Sequence, residues 1–212
     1  FDLSVRRSRM VLYTLADGQL RSLGSDRYES SDPAFTPDGR WLYFLSDRRF
    51  VSSNPSPWGD RNLGPSFDRR TRIYALALQP GLRLPFMPRD ELTPASPAPA
   101  ASAASSAAAA SAPSASASQA ARGLVVAGLA QRLFELPVLP GNYSALRTDG
   151  KRLFFLDREA GGEGRSSLRS VAIDDSGTPP EALAADVLSF DITPDGKRMM
   201  IVRSPPPPAL RP

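Results

Sequence analysis

Three aspartates stand beside glycine at comparable places in the sequence, Asp38-Gly39, Asp149-Gly150 and Asp195-Gly196, with serines scattered near them. A carboxylate and a hydroxyl are two members of a nucleophilic triad, but the base is missing, because the 212 residues contain no histidine and no cysteine. This excludes a Ser-His-Asp triad within the chain, a cysteine nucleophile, thiolate metal sites and disulfides. Carboxylates beside glycine have a simpler task, accepting hydrogen bonds from backbone N–H groups in turns. No catalytic residue, metal ligand or cofactor is therefore expected.

Other groups have binding rather than bond-breaking chemistry. Gly161-Gly162-Glu163-Gly164 is not followed by the helix start and Gly-Lys-Ser/Thr that a phosphate loop needs. Arg48, Arg49, Arg69, Arg70 and Arg72 gather around one long loop. They read as an anionic-ligand patch or, more simply, as solvated arginines at strand ends. With 26 Lys and Arg against 22 Asp and Glu, a formal charge of +4 and a pI near 9.8, the chain is only mildly basic. It has no aromatic-interleaved, zinc or helix-turn-helix pattern, so no nucleic-acid partner is expected. If any residues touch a peptide, Trp58, Arg61 and Phe67 are the candidates, two aromatic rings and a cation in the long loop. The alternative is a loop folded on its own sheet, with Trp58 as its plug.

The elements that must position these residues repeat. Asp32 to Arg48 reads as a β-hairpin: Pro37 presets φ for the first central position of the turn, and Gly39 takes the positive φ. The five apolar residues Trp41 to Leu45 that follow show no polar alternation, so both faces of that strand must be covered. Weaker copies run from Leu146 to Leu156 and from Ile192 to Val202. Asp149 and Asp195 are 46 residues apart, close to the roughly 40–50 residues of one propeller blade. Asp38 and Asp149 are 111 apart, one repeat enlarged by insertions.

In chain order, residues 1–30 fit the closing half of a blade, with strands Met10–Leu15 and Gln19–Leu23. Residues 31–141 are a whole blade, with a third strand at Ile73–Leu78 and a delayed fourth at Gln131–Leu136. Its connection from Asp47 to Arg70 is far longer than the usual hairpin loop. Residues 142–187 form a second whole blade with strands at 142–146, 153–156, 168–173 and 181–185. Residues 188–204 open a third and stop after two strands.

Residues 93–121 collapse to Ala, Ser and Pro with almost no charge. Prolines interrupt any helix there and nothing large enough to bury recurs, so a disordered surface insertion is expected. Residues 205–212 form a proline-rich tail that cannot continue a sheet. Although 41% of residues are hydrophobic, many are alanines of that tract, and too little chain remains to close a ring. The expected fold is all-β: a partial β-propeller of four-stranded antiparallel blades, two whole repeats plus two half repeats. Phe1 is not a start residue and no run of about 18 apolar residues appears. The chain reads as a piece of a longer one with no membrane partner, and its open ends would expose apolar faces and unpaired edges.

Residues 31 to 48, Ser-Asp-Pro-Ala-Phe-Thr-Pro-Asp-Gly-Arg-Trp-Leu-Tyr-Phe-Leu-Ser-Asp-Arg, resemble the PD40 (TolB-type) β-propeller repeat. More narrowly, the chain resembles the propeller region of tricorn-type peptidases, serine peptidases of the S41 class. Asp26 to Ser30, the loop from Ser56-Pro57-Trp58-Gly59 to Phe67-Asp68, and Leu136 to Ser144 carry that narrower likeness. The resemblance implies a non-catalytic segment that scaffolds a serine peptidase and filters or channels peptides or unfolded polypeptide in proteolysis. It also implies PDZ-like and catalytic domains elsewhere in the polypeptide, a homo-oligomer for the full-length protein, and the cytoplasm, with the periplasm as alternative. No family catalytic residue falls on any position here. The other readings are a TolB-like periplasmic protein-interaction propeller and the propeller of a prolyl-oligopeptidase-like enzyme.

Overall fold

The computed structural model describes residues 8, 10–15, 18–23, 27–49, 69–88, 125, 128–159 and 165–203. The expected disordered insertion at 93–121, the glycine cluster at 161–164 and the tail at 205–212 lie outside the described residues.

The described strands form four antiparallel sheets. The first has two strands, β1 (Val11–Tyr13) and β2 (Leu20–Ser22). The second is a whole blade of β3 (Ser30–Phe35), β4 (Trp41–Ser46), β5 (Arg72–Ala77) and β6 (Leu133–Glu135) in sequential order. The third repeats it with β7 (Tyr143–Thr148), β8 (Arg152–Arg158), β9 (Ser166–Ala172) and β10 (Glu181–Ala184). The fourth stops at β11 (Val187–Ile192) and β12 (Met199–Arg203). The fold is thus the expected all-β partial propeller. Among the described residues no helix is long and apolar enough to cross a membrane.

The run Trp41 to Leu45 shows why the sheets stack. Every residue of β4 is buried, and because side chains alternate across a strand they feed two different cores. Leu42 and Phe44 face back onto Met10, Leu12 and Leu23 of the first half sheet. Trp41, Tyr43 and Leu45 face forward onto Leu146, Leu153 and Phe155 of the next blade. Phe154 and Leu156 in turn face forward onto Val187 and Phe190. Each such side chain contributes about 1.5–3 kcal/mol by leaving water, so the cores between sheets hold the stack together.

One expectation needs correction. The fourth strand of the first whole blade does not begin at Gln131: Leu129–Arg132 is a single 3-10 turn and β6 starts at Leu133. The turn follows Gly128, whose φ of 73° sends the chain into it and shortens the paired segment. The core also has a contributor outside the strands. Leu84 and Phe86 insert between the two whole blades, with Phe86 edge-on to Tyr43 at 6.5 Å.

Candidate functional site

The three Asp-Gly turns do structural work. Asp38 Oδ1 accepts the Arg40 N–H at 3.0 Å and the Thr36 hydroxyl at 2.5 Å, while Thr36 Oγ1 accepts the Trp41 N–H at 3.0 Å. Asp195 repeats the arrangement with the Lys197 N–H and the Thr193 hydroxyl, and that hydroxyl, ahead of the backbone bond, holds the Asp195 carboxyl below its usual range. Asp149 accepts from the N–H groups of Lys151 and Arg152 at 2.8 and 2.6 Å. These carboxylates are committed to backbone donors. The threonines were missed in the sequence, although Thr36, Thr148 and Thr193 stand one or two places before each aspartate.

The turns also touch one another from blade to blade. A Cβ added to Gly150 would lie 3.0 Å from Pro37 Cδ, and one added to Gly196 would lie 2.9 Å from Asp149 Cβ. The chain therefore needs glycine there for close approach as well as for φ values of 88° and 67°. Beside the turns run the first strands of successive blades, with Arg147 of β7 3.7 Å from Asp191 of β11. β3 and β7 each carry a bulge at the same place, Asp32-Pro33 opposite Phe44 and Ala145-Leu146 opposite Phe155. Its first residue has φ of 50° or 55°. A recurring non-glycine residue in this region marks an imposed bend in the strand.

At the other end of these strands lies a cleft of about 280 Å³, lined by Glu29, Asp32, Asp47, Arg70, Tyr143 and Ser144 among others. The stems of the long loop border it. Asp47 accepts the Glu29 N–H at 2.9 Å, the Arg69 N–H bonds Asn142 Oδ1 at 3.1 Å, and Thr71 pairs with Gly141. Trp58, Arg61 and Phe67 belong to that loop and lie outside the described residues. The cleft carries both signs of charge, which suits the backbone and ends of a peptide. Burial, ahead of Asp157, pushes Tyr143 up to about 12, so it enters the cleft as a neutral phenol.

The five arginines separate into distinct roles. Arg48 is caged by Tyr74, Phe44 and Tyr28, with its guanidinium carbon 5.1, 5.5 and 5.6 Å from the ring centres. Burial lowers its pKa against the opposing pull of those tyrosines and Asp47. Arg72 pairs with Glu135, which also lies 3.6 Å from the exposed Arg49 and receives the Tyr74 hydroxyl at 3.4 Å. Arg69 and Arg70 are exposed at the loop stem. A larger cavity of about 580 Å³ beside Arg48 is walled by Leu23, Phe44, Leu76, Leu129 and Leu133. It continues the apolar core between the first half sheet and β4–β6.

Ser31 Oγ donates to Asp32 Oδ2 at 3.1 Å, yet no histidine exists to take a serine proton. Among the described residues no group of three or more metal-ligating side chains converges.

No family model and no curated protein matches this sequence. Among solved structures, the chain is similar to the crystal structure of the tricorn protease, with a TM-score of 0.63 at 18% identity. The match covers 91% of this chain and 17% of that one, so the chain spans under a fifth of that protein's length. At this identity the likeness shows a shared fold.

Proposed function

We propose that this chain is a non-catalytic β-propeller segment of a tricorn-like serine peptidase of the S41 class, scaffolding the enzyme and filtering or channelling peptides. The observation that carries the reading is the mixed-charge cleft at the end of β3 and β7, bordered by the stems of the long loop, in a chain without histidine. Its partners are peptides or unfolded polypeptide, together with PDZ-like and catalytic domains of the same polypeptide. The full-length protein is a homo-oligomer in the cytoplasm, with no nucleic-acid or membrane partner. Trp58, Arg61 and Phe67 contact the passing peptide from the loop.

Two measurements on this chain test the reading together. A peptidase assay should show no turnover, and fluorescence anisotropy of a labelled unstructured peptide should show binding that weakens roughly tenfold, about 1.4 kcal/mol, in a W58A/R61A/F67A variant. Specific turnover by the chain alone would sink the reading, and so would peptide binding indifferent to the triple substitution.

A further inference from the structure

Arg48 differs from its neighbours around the long loop. Arg72 and Arg49 share the carboxylate of Glu135. Among the described residues Arg48 has no ion pair, and its hydrogen bond runs from Nε to Ser46 Oγ at 3.3 Å. The rings of Tyr74, Phe44 and Tyr28 hold it instead, offering π faces but no anion. Burial is the largest influence on it and acts against its charge, while Asp47 draws on it least and already accepts the Glu29 N–H. An anion brought beside Arg48 would therefore meet a fixed guanidinium short of counter-charge.

That guanidinium lines the cavity of about 580 Å³ between β2 and the turn that leads into β6. Leu23, Leu76, Leu129 and Leu133 make most of its wall apolar, and Ser22 and Gln131 are uncharged. Arg48 is the single charged residue among the described lining. Pockets for small organic molecules have this make-up, roughly 300–1,000 Å³ of mostly apolar wall with a few polar groups that fix orientation. A packed core leaves few voids larger than a water molecule, so packing alone does not account for this space. It is also separate from the mixed-charge cleft: Phe44 and Arg48 line the cavity, whereas Leu45 and Asp47 line the cleft, because alternate residues face opposite sides of a strand.

We propose that this cavity binds a small amphiphilic carboxylate, with the carboxylate on Arg48 and the apolar tail among the leucines. The planar guanidinium fork matches a carboxylate in bidentate geometry. One cation in the wall balances one negative charge, so a phosphate dianion would be left half-matched. An uncharged apolar molecule would leave the guanidinium without an anion, and a cation would be repelled by it. This site goes beyond the peptide-channelling reading and does not rest on it.

The test is calorimetric titration of decanoate into the protein at about pH 8, where both the ligand and Arg48 are charged. Decanol, hexanoate and acetate serve as comparisons. One decanoate should bind per chain and acetate should not bind. Decanol and hexanoate should each bind at least about tenfold more weakly, hexanoate because every buried methylene is worth about a fourfold factor. Arg48→Met keeps an unbranched apolar stem beside the rings but removes the charge, and should weaken decanoate at least about tenfold while leaving decanol unchanged. Leu129→Trp keeps Arg48 and fills the cavity, and should abolish decanoate binding with the β-sheet circular dichroism retained. Should Arg48→Met fail to fold, Leu129→Trp and the ligand series decide the matter. Absence of saturable decanoate binding overturns the proposal, as do decanol bound as tightly as decanoate and decanoate binding indifferent to a folded variant of either kind. None of these outcomes touches peptide channelling, which peptidase turnover and labelled-peptide anisotropy decide.

Discussion

Glu135 gathers two guanidinium groups and a phenol, and its surroundings make a pH-dependent prediction. Arg72 and Arg49 approach its two oxygens, and the Tyr74 hydroxyl donates to it. Burial first, then the Glu135 charge, pushes Tyr74 from 10.0 up to about 12. Tyr143 is pushed to the same range by burial and Asp157. In the unfolded chain both phenols ionise near pH 10, while the folded chain keeps its protons, so unfolding releases protons between the two values. The stabilising contribution of these phenols is fully present below pH 10 and is lost as pH rises towards about 12. Stability measured by denaturant should therefore fall across that window, and Tyr74→Phe together with Tyr143→Phe should flatten the fall. An unchanged slope in the double variant would contradict the assignment. The arginine cluster was legible in the sequence as a cluster, but its roles were not. Arg72 and Glu135 are 63 positions apart, and the aromatic cage on Arg48 depends on β4, β5 and the residues before β3 meeting in space.

At the scale of the element, the hairpins were the most legible feature, because Pro-Asp-Gly ahead of an unbroken apolar run has few other structural solutions. What sequence could not supply was the packing of one turn against the next. That packing separates three glycines that look alike in the sequence. Gly39 has φ of 66° and nothing within 4 Å of a Cβ, so Gly39→Ala should cost only the left-handed conformation, about 1 kcal/mol. Gly196 has nearly the same φ, but its Cβ would meet Asp149 Cβ at 2.9 Å, which adds overpacking of about 1–3 kcal/mol at the joint between β7 and β11. Gly150→Ala, against Pro37 Cδ at 3.0 Å, should also cost more than Gly39→Ala. Equal costs for all three in denaturant titrations would mean the turns do not touch. The sequence reading set the fourth-strand boundary too early for a related reason. Gln131-Arg132 directly precede the apolar pair Leu133-Phe134, but Gly128 had already committed the chain to a 3-10 turn. Leu84 and Phe86 escaped notice because they lie past Pro80-Gly81, where the strand pattern has ended, and only the facing blade gives them something to fill.

Over the whole molecule, the stack predicts stability that depends on a blade's place in the row more than on its sequence. Phe44, Phe155 and Ile201 occupy one repeat position, five residues past the turn glycine. Phe44 and Phe155 are 2% and 0% exposed between covered sheets, whereas Ile201 is 38% exposed on the terminal one. Phe155→Ala should therefore cost about 3–5 kcal/mol, the range for emptying a packed aromatic site. Ile201→Ala in the isolated chain should cost well under half of that, because water already reaches the side chain. Hydrogen exchange should follow the same order. The amides of β4 and β8, each paired on both edges and covered on both faces, should exchange last, and those of β1 and β12 first. If β12 proved as protected as β8 in the monomer, neighbouring sheets would not be the source of protection, and the radial stack would lose its physical basis.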